Sequence, residues 1–374
     1  MNVIFTCGGT GGHINPAIAV ANTLKERHPD CKILFIGASN NMEENLVPRA
    51  GYELRTMPGG GLARSLAPKD LLWNCKVVRR LLHAVRECKK IFAEFKPDVI
   101  VGTGGFASFP ALYAGIQMGI PTCVHESNAV PGLTTKLVAG RATKVLVSFA
   151  ESAQYYRCPE KVEVVGMPVR KEFVSTSQET ARKELGLDQR PLIVSAFGSL
   201  GAEAMNYAIA DMLMLEQKQG FPYQHIHATG SYGWEWMPKF LEEKGFDRNN
   251  CSGVDVREYI YNMPTVMAAA DVIISRAGAS SCNEIGASGT PCVLIPSPNV
   301  TNNHQEKNAR ILEGRGAAIL LPEPECTAEK LYEIVETLLS DREKARKMSV
   351  ALREMVVLDS ADRICDMIEE LSRH

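Results

Sequence analysis

The chain opens on Asn2-Val3-Ile4-Phe5-Thr6, and the glycine-rich stretch Gly8-Gly9-Thr10-Gly11-Gly12-His13 follows one residue later. The unbroken run of β-branched and aromatic residues before a glycine cluster predicts a strand. Apolar residues after the cluster recur at the spacing of a helix, and Pro16 is tolerated near a first helical turn. N–H groups at the start of such a helix attract anions, so this loop is a candidate anion-binding site.

A turn that binds nothing is the alternative interpretation of the glycine cluster. A P-loop requires Gly-Lys-Ser/Thr at its end, whereas this stretch ends in Gly12-His13-Ile14. A dinucleotide site requires an acidic residue after the second strand, and Gly37-Ala38-Ser39 stands there instead. The sequence therefore favours neither class of nucleotide cofactor, and no cofactor is expected.

Composition limits the classes of protein and partner. The chain has 374 residues, 45% hydrophobic and 22% charged, which suffices for two ordinary domains. A formal net charge of −2 gives no reason to expect nucleic acid as a partner. The eleven cysteines form no Cys-x-x-Cys pair, and several lie in apolar runs, which predicts buried thiols in a reducing compartment. No Asp-x-Asp motif and no zinc-type spacing occur, so no metal site is expected.

The N-terminus leads directly into the first strand without a basic segment, which predicts a chain without a signal peptide. No apolar run reaches the roughly 18 residues that a spanning helix needs. We therefore expect a cytosolic protein, or a peripheral one on the cytosolic face of a membrane.

Apolar runs of strand length alternate with helix-length segments along the first half of the chain, at residues 32–36, 98–101, 121–124, 144–147 and 163–165. This alternation predicts a parallel sheet with helices on both faces. Gly166-Met167-Pro168 interrupts the pattern, which restarts with a buried run and a second glycine turn, Gly198-Ser199-Leu200-Gly201-Ala202. Strands of this half are expected at 192–197, 225–229, 271–275, 291–295 and 317–320. The sequence predicts an α/β fold of two doubly wound domains, with a site in or beside the cleft between them.

Two polar stretches in the second half are candidates for a ligand site. Residues 275–284 follow a strand and open a helix, and their small side chains allow a ligand to approach the backbone. Glu284 could accept both hydroxyls of a ribose, or it could only complement the helix dipole. Residues 302–308, Asn-Asn-His-Gln-Glu-Lys-Asn, suit a polyhydroxylated ligand or a solvated helix start.

In the first half, His125-Glu126-Ser127-Asn128 and Gly102-Thr103-Gly104-Gly105 each close a predicted strand. The carboxyl ends of parallel strands meet at one edge of a sheet. We therefore expect both stretches to face the ligand cleft.

Residues 64–96 form a long amphipathic pattern with nine Lys or Arg against three acidic residues. A basic amphipathic helix with Trp73 near one end is typical of a membrane-surface element, whose cations meet anionic lipid. A helix that covers the sheet and exposes a solvated basic face is the alternative interpretation.

Taken together, these motifs resemble one family over essentially the whole chain, the bacterial MurG-type glycosyltransferases. Each motif alone is weak, but their shared order along the chain is specific. The resemblance rests on residues 8–13, 102–105, 125–128, 198–202, 275–284 and 304–309. The chain departs from the family pattern at Ser127, Met167 and Ala196-Phe197, where Gln, Asn and a glycine are usual.

The resemblance implies a GT-B architecture, in which two Rossmann-like domains face each other across a cleft. Residues 1–166 would form an acceptor- and membrane-facing domain, on which a C-terminal helix at 350–374 packs back. Residues 167–349 would bind UDP-N-acetylglucosamine (UDP-GlcNAc).

The same resemblance implies an inverting, metal-independent transfer of GlcNAc to the C4 hydroxyl of the MurNAc of lipid I, which gives lipid II for peptidoglycan synthesis. It implies a peripheral position on the cytoplasmic face of the cell membrane, with anionic lipid bound through residues 64–96. Cell-wall synthesis and division proteins would be further partners.

By motif position, the resemblance also implies roles for single residues. The donor contacts would be Thr10, Gly11, Gly12, Asn128, Arg170, Ser199, Ile260, Glu284 and Gln305. Backbone N–H groups at 199–201 and at 279–281, which include Ala279 and Ser280, would meet the leaving diphosphate with help from Arg170. His13 and Glu126 would lie near the acceptor. We hypothesise that His13 is the general base, since its reference pKa lies near the working pH, with Glu126 as the rival.

Two alternative functions stay open on the residues. Another GT-B enzyme, either a different UDP-sugar transferase or a UDP-GlcNAc epimerase, would share the donor loops. A non-catalytic nucleotide-sugar-binding module at the membrane would bind the donor without releasing UDP.

Overall fold

The computed structural model describes residues 1–58, 68–247, 251, 253–300 and 303–373, with the backbone alone at 68–72. The chain divides into two compact units. The first comprises Met1–Val169 and Val357–His374, and the second comprises Arg170–Val356. The first boundary therefore lies a few residues beyond Gly166.

The first unit is built on one parallel sheet. Within the described residues its strands are β1 (Asn2–Thr6), β2 (Lys32–Ala38), β3 (Glu53–Met57), β4 (Val99–Gly102), β5 (Thr122–Glu126), β6 (Lys144–Val147) and β7 (Val162–Val164). Helices α1 (Gly11–Arg27), α2 (Glu43–Arg49), α3 (Pro68–Phe95), α4 (Ser108–Met118) and α5 (Leu133–Val138) connect them. The strand order is β3-β2-β1-β4-β5-β6-β7. The order reverses between β1 and β4, and such sheets leave a ligand crevice at that point.

Helices bury both faces of this sheet. On one face, α3 and α4 contribute Cys88, Phe92 and Leu112 to the core. On the other face, α1 contributes Val20 and Leu24. Because both faces are buried, the central strands are continuous apolar runs, which made them visible in the sequence.

The second unit repeats the same design. Its described strands are β8 (Leu192–Ala196), β9 (Gln224–Ala228), β10 (Val254–Arg257), β11 (Val272–Ser275), β12 (Cys292–Leu294) and β13 (Ile319–Leu320). Its helices are α6 (Glu172–Ser175), α7 (Gln178–Glu184), α8 (Glu203–Lys218), α9 (Gly230–Trp234), α10 (Met237–Glu243), α11 (Met263–Ala269), α12 (Ala279–Ser288), α13 (His304–Gly314), α14 (Ala328–Ser340) and α15 (Arg342–Met355). The parallel order is β10-β9-β8-β11-β12-β13, with its reversal between β8 and β11. The prediction of two doubly wound sheets is thus confirmed, and Cys123 and Cys292 are buried free thiols as expected.

The C-terminal segment does pack back on the first unit, and its last helix lies close to the predicted residues 361–371. The wider range 350–374 is wrong, because two helices divide this segment. α15 belongs to the second unit and ends at Met355, where Val356 is extended (φ −100°, ψ 130°). β-branched Val356 and Val357 disfavour a continuing helix. α16 (Ser360–Leu371) belongs to the first unit and packs against α1, where Arg27 pairs with acidic residues of α16.

β3 and β10 are strands that the sequence analysis missed. Both lie at sheet edges, and β3 exposes Glu53, Arg55 and Thr56. An edge strand needs few apolar residues, so a search for apolar runs passes over it.

Two helix predictions need adjustment. α3 covers most of the amphipathic pattern, and residues 64–67 of that prediction lie outside the described residues. α1 begins at Gly11, so Pro16 lies beyond its first turn.

A buried polar chain crosses the second unit. The Ser195 hydroxyl lies 2.8 Å from both His225 Nε2 and His227 Nδ1, and His225 Nδ1 lies 3.0 Å from Glu216 Oε1. All four side chains are fully buried. Burial, aided by His225, lowers the pKa of His227 to about 3, so His227 is neutral in the folded protein.

We expect the second unit to lose stability as the pH falls from about 6.5 towards about 3. In that window the unfolded chain takes up a proton at His227 that the folded chain does not, which costs up to about 1.4 kcal/mol per pH unit. In a Trp73→Phe background, the remaining Trp234 and Trp236 both report on the second unit. Urea unfolding followed by their fluorescence measures the slope. His227→Asn should reduce the slope of the unfolding free energy against pH by the contribution of one proton, about 1.4 kcal/mol per pH unit. An unchanged slope would contradict the neutral state of His227.

Candidate active site

Three loops of the first unit gather at the carboxyl ends of neighbouring strands. They follow β1, β4 and β5, which lie side by side in the sheet. The predicted residues on these loops are Thr10, Gly11, Gly12, His13, Glu126 and Asn128. The topology therefore brings to one sheet edge residues that are far apart along the chain.

His13 lies in the first turn of α1 and is half-buried. Its Nδ1 lies 3.2 Å from the carbonyl oxygen of Gly8 and 3.3 Å from the hydroxyl of Thr10. A carbonyl oxygen only accepts hydrogen bonds, so the contact with Gly8 requires the proton on Nδ1. The lone pair of the neutral ring then lies on Nε2, as a general base at that atom requires.

The loop after β4 packs against this histidine. Thr103 donates its hydroxyl to the carbonyl oxygen of His13 at 2.6 Å. Gly104 has a φ of +104°, and a Cβ there would stand 2.7 Å from His13 Cδ2. Glycine satisfies both demands, so Gly104 lets the loop lie directly against the imidazole.

Glu126 ends β5 and is buried, and its two carboxylate oxygens are engaged. Oε1 accepts the N–H of Asn128 at 3.0 Å, and Oε2 accepts the N–H of Gly132 at 2.9 Å and the hydroxyl of Thr135 at 2.8 Å. Bonds to a charged acceptor are strong, and a general base would have to give them up. The geometry favours Glu126 as the organiser of the 127–132 loop and His13 as the candidate base.

In the second unit, two loops at the reversal of strand order carry predicted residues. Ser199 is exposed in the turn after β8, where Gly201 donates its N–H to the carbonyl oxygen of Gly198 at 3.1 Å. Ala279 and Ser280 form the first turn of α12, whose opening N–H groups suit an anion. The hydroxyl of Ser280 is buried and finds no hydrogen-bond partner within the described ranges.

Glu284 lies beyond the first turn of α12 and is half-buried. The helix dipole acts mainly within the first turn, so a purely dipolar role for Glu284 is disfavoured. Burial raises the pKa of Glu284 to about 7, and Arg170 opposes that rise. Burial also raises the pKa of Tyr259. The charge of Glu284 raises that pKa further, and the charge of Arg170 lowers it. These three side chains therefore share one neighbourhood.

The remaining two predicted donor residues sit in more closed surroundings. Ile260 is buried in the segment between β10 and α11. Gln305 lies in the first turn of α13 and accepts the N–H of Ser297 at 2.9 Å. A ligand would meet the backbone near Ile260 rather than its side chain.

The described part of the chain contains no cluster of three His, Cys, Asp or Glu side chains that could hold a metal ion. Among its helices, none combines the length and the apolar character needed to cross a membrane.

Sequence analysis missed Glu43 and Tyr259. Glu43 stands in the polar run 39–44, which is typical of an exposed helix start, yet it is fully buried while Glu44 is exposed. No signal in a single sequence separates these neighbours. Tyr259 could have been suggested only by its position next to Ile260.

Comparison with known proteins shows the family. The model of the glycosyltransferase family 28 N-terminal domain matches residues 3–147, and that of its C-terminal domain matches residues 192–364. A relative from Acetivibrio thermocellus is 38% identical over 100% of this chain and 99% of its own length. Another from Thermoanaerobacter sp. is 40% identical over 100% of both chains. The chain belongs to glycosyltransferase family 28.

Both relatives bear the name UDP-N-acetylglucosamine–N-acetylmuramyl-(pentapeptide) pyrophosphoryl-undecaprenol N-acetylglucosamine transferase. Among solved structures, Acinetobacter baumannii MurG is similar with a TM-score of 0.74 and 25% identity, over 99% of both chains. The UDP-GlcNAc 2-epimerase from Neisseria meningitidis has a TM-score of 0.68 at 14% identity over 99% of this chain and 100% of its own, a likeness of fold alone. The resemblance to MurG-type glycosyltransferases is confirmed.

Within this family-28 glycosyltransferase, the positions that depart from the usual motifs are mostly buried. Ser127, Met167 and Phe197 are each less than 5% exposed. The Phe197 ring packs 6.2 Å from that of His227, and the Arg276 guanidinium lies 5.9 Å from its centre. These three side chains therefore lie in the packed interior rather than on the surface of the loops.

We expect the carboxyl group of Glu284 to titrate with a pKa of about 7 in the unliganded enzyme. Because the charge of Arg170 favours the carboxylate, Arg170→Leu should raise that pKa further, and Glu284→Gln should remove the titration. The 13Cδ chemical shift of glutamate-labelled protein measures both. Arg342→Leu, at an exposed position on α15, is the matched control. A Glu284 pKa near 4.5 would contradict the assignment.

Proposed function

We propose that this glycosyltransferase transfers GlcNAc from UDP-GlcNAc to the C4 hydroxyl of the MurNAc of lipid I, the undecaprenyl-pyrophosphoryl-MurNAc-pentapeptide, and so makes lipid II for peptidoglycan synthesis. The observation that carries the proposal is the likeness over the full chain to relatives that bear the name of this transferase. An enzyme that shared only the sugar donor with these relatives would need to resemble them only in the donor-binding unit. The likeness here also covers the first unit.

The second unit binds UDP-GlcNAc in this proposal. N–H groups of the Ser199 turn and of the first turn of α12 meet the diphosphate, with the charge of Arg170 nearby. The carboxylate of Glu284 accepts the ribose hydroxyls, and the buried Ser280 hydroxyl gains a partner. These donors are supplied by the chain itself, so the leaving group is stabilised without a metal. Donor contacts at Thr10, Gly11, Gly12 and Asn128, and at Ile260 and Gln305, stay predictions.

The first unit supplies the base. Nε2 of His13 takes the proton of the acceptor hydroxyl while the hydroxyl oxygen forms a bond to C1 of GlcNAc. The bond from C1 to the β-phosphate oxygen breaks, and its electron pair leaves with UDP. Attack opposite the leaving group inverts the anomeric configuration. The contact of His13 Nδ1 with the Gly8 carbonyl supports this role because it leaves the lone pair on Nε2.

UDP release measured with and without a soluble lipid I analogue tests the proposed function. We expect UDP and a disaccharide product only when the acceptor is present. Conversion of UDP-GlcNAc without acceptor would instead indicate an epimerase. Donor binding without UDP release in the presence of acceptor would indicate a non-catalytic module.

We expect His13→Ala to lower kcat by about two to four orders of magnitude, the usual contribution of a general base. The affinity for UDP-GlcNAc, measured by calorimetry, should change little because the donor contacts lie mainly on the second unit. His83→Ala, at an exposed position on α3, is the control. A loss of less than tenfold with intact donor binding would rule out His13 as the base.

The outer face of α3 supports a peripheral membrane site. The inner face of this helix buries Val77, and its Cys88 and Phe92 share a core with residues of the strands, so the helix does cover the sheet. Its outer face nonetheless exposes Val78 and Leu82 at 48% and 55%. These exposed apolar side chains favour a membrane contact over a face that only meets water.

Two arginines accompany these apolar residues of α3. Arg79 and Arg80 are exposed, and the guanidinium of Arg80 lies 5.6 Å from the ring centre of Trp73. Exposed apolar side chains next to arginines suit an interface of anionic headgroups and acyl chains. We therefore propose that α3 binds the cytoplasmic face of the cell membrane.

We expect co-sedimentation with phosphatidylglycerol vesicles to fall at least tenfold in the Arg79→Glu/Arg80→Glu variant, since each cation near an anionic surface contributes about 1 kcal/mol. Added salt should weaken binding of the unaltered protein. Lys344→Glu/Lys347→Glu on α15 is the charge-matched control. Equal binding by both variants would count against α3 as the membrane site.

A further inference from the structure

Glu43 is a fully buried carboxylate with no role in the reaction described so far. It begins α2, and its side chain contacts the glycine loop that precedes His13. Oε1 accepts the N–H of Ala38, at the end of β2, at 2.9 Å. Oε2 accepts the N–H of Gly9 at 3.3 Å. The carboxylate thus ties the glycine loop after β1 to the end of the neighbouring strand.

The glycine loop leaves room for this carboxylate. A Cβ at Gly8 would stand 2.4 Å from Glu43 Oε1 and 2.6 Å from the Cβ of Ala107. Burying a charge is costly unless hydrogen bonds compensate it. Glycine at position 8 therefore leaves space for the Glu43 carboxylate, and the two hydrogen bonds compensate its burial.

One peptide group joins Glu43 to His13. The N–H of Gly9 and the carbonyl of Gly8 belong to the same planar peptide unit, and in a trans peptide they point in opposite directions. Glu43 Oε2 accepts from the N–H end at 3.3 Å, and the Gly8 carbonyl oxygen at the other end lies 3.2 Å from His13 Nδ1. The hydrogen bonds run in series from the carboxylate, through the peptide group, to the imidazole.

A series of this kind has a defined electrostatic effect. A negative charge at the N–H end polarises the peptide group and makes its carbonyl oxygen a stronger acceptor. A stronger acceptor at Nδ1 favours the tautomer with the proton on that atom and the lone pair on Nε2. It also stabilises the imidazolium that forms when Nε2 takes a proton, as the buried carboxylate of a serine-protease triad does by direct contact.

We propose that Glu43 is a positioning residue for the transfer reaction and acts on His13 through the Gly8–Gly9 peptide group. This inference rests on the proposed role of His13 as the base. Glu43 itself touches neither substrate, and its effect is confined to the orientation, tautomer and basicity of the imidazole.

Glu43→Gln is the discriminating variant, with Glu44→Gln as its matched control on the exposed side of the same helix. A glutamine has one acceptor oxygen, so if it serves Ala38 its NH2 group faces the N–H of Gly9, and the negative charge is gone. We expect kcat to fall about ten- to a hundredfold, as for small misplacements of a catalytic group. The KM for UDP-GlcNAc should stay within about twofold of the original enzyme. Loss of donor affinity instead of kcat would overturn the proposal.

Histidine-labelled 15N NMR reads the effect on His13 without any substrate. The original enzyme should show His13 protonated on Nδ1 with an unprotonated Nε2, the His13→Ala variant serving to assign the signal. Glu43→Gln should shift the ring towards a mixture of tautomers, whereas Glu44→Gln should not. An unchanged tautomer in folded Glu43→Gln would refute the proposal. If Glu43→Gln does not fold, Glu43→Asp keeps the charge but is too short to reach both N–H groups, and the same outcomes apply.

A double-mutant cycle separates positioning from a merely structural role. In the His13→Ala background, Glu43→Gln should lower kcat by less than about twofold, because the group through which Glu43 acts is gone. The full loss in that background would show that Glu43 supports the fold instead, and would overturn the proposal. Failure of His13 as the base would appear separately, as a small effect of His13→Ala alone, while the tautomer measurement still tests the link from Glu43 to His13.

Discussion

The parallel ladder around the first strand of each unit is the constraint on which the rest of the structure depends. β1 pairs with β2 on one side and with β4 on the other, and β8 pairs in the same way with β9 and β11. Parallel neighbours require crossover helices, and the crossovers on the two sides of such a strand lie on opposite faces of the sheet. The loops at its carboxyl end therefore diverge and leave space for a ligand. The candidate base and the candidate diphosphate site each arise at such a point.

Three carboxyl groups lie on or beside these loops, and each has different surroundings. Glu126 has its oxygens occupied by backbone N–H groups and a hydroxyl, so it holds a loop in shape. Glu43 bridges two backbone N–H groups and transmits its charge through a peptide unit. Burial raises the pKa of Glu284 to about 7, and Arg170 opposes that rise. Its proposed role is to bind the donor. The three carboxyl groups therefore differ in the donors and charges around them, and the proposed roles follow from those differences.

Much of the fold could be predicted because its central strands are buried on both faces. Such strands are unbroken apolar runs, and the glycine clusters after β1 and β8 mark where each unit begins its sheet. The edge strands β3 and β10 escaped because one of their sides needs no apolar residues. The last helix was visible at 361–371, but its residues alone did not show which unit it joins.

The sequence by itself determined the two doubly wound sheets, the glycine loops and the family. Hydrophobic periodicity and the order of motifs can both be read directly along the chain. Only the tertiary structure showed that Glu43 is buried while Glu44 is exposed. It also showed that the carboxylate oxygens of Glu126 already accept hydrogen bonds, whereas His13 is half-buried. It also placed Thr103 and Gly104 against His13, and it placed Arg170 where its charge lowers the pKa of Glu284. Those distinctions depend on burial and on hydrogen-bond partners contributed by distant segments, and such partners leave no trace in the local pattern of residues.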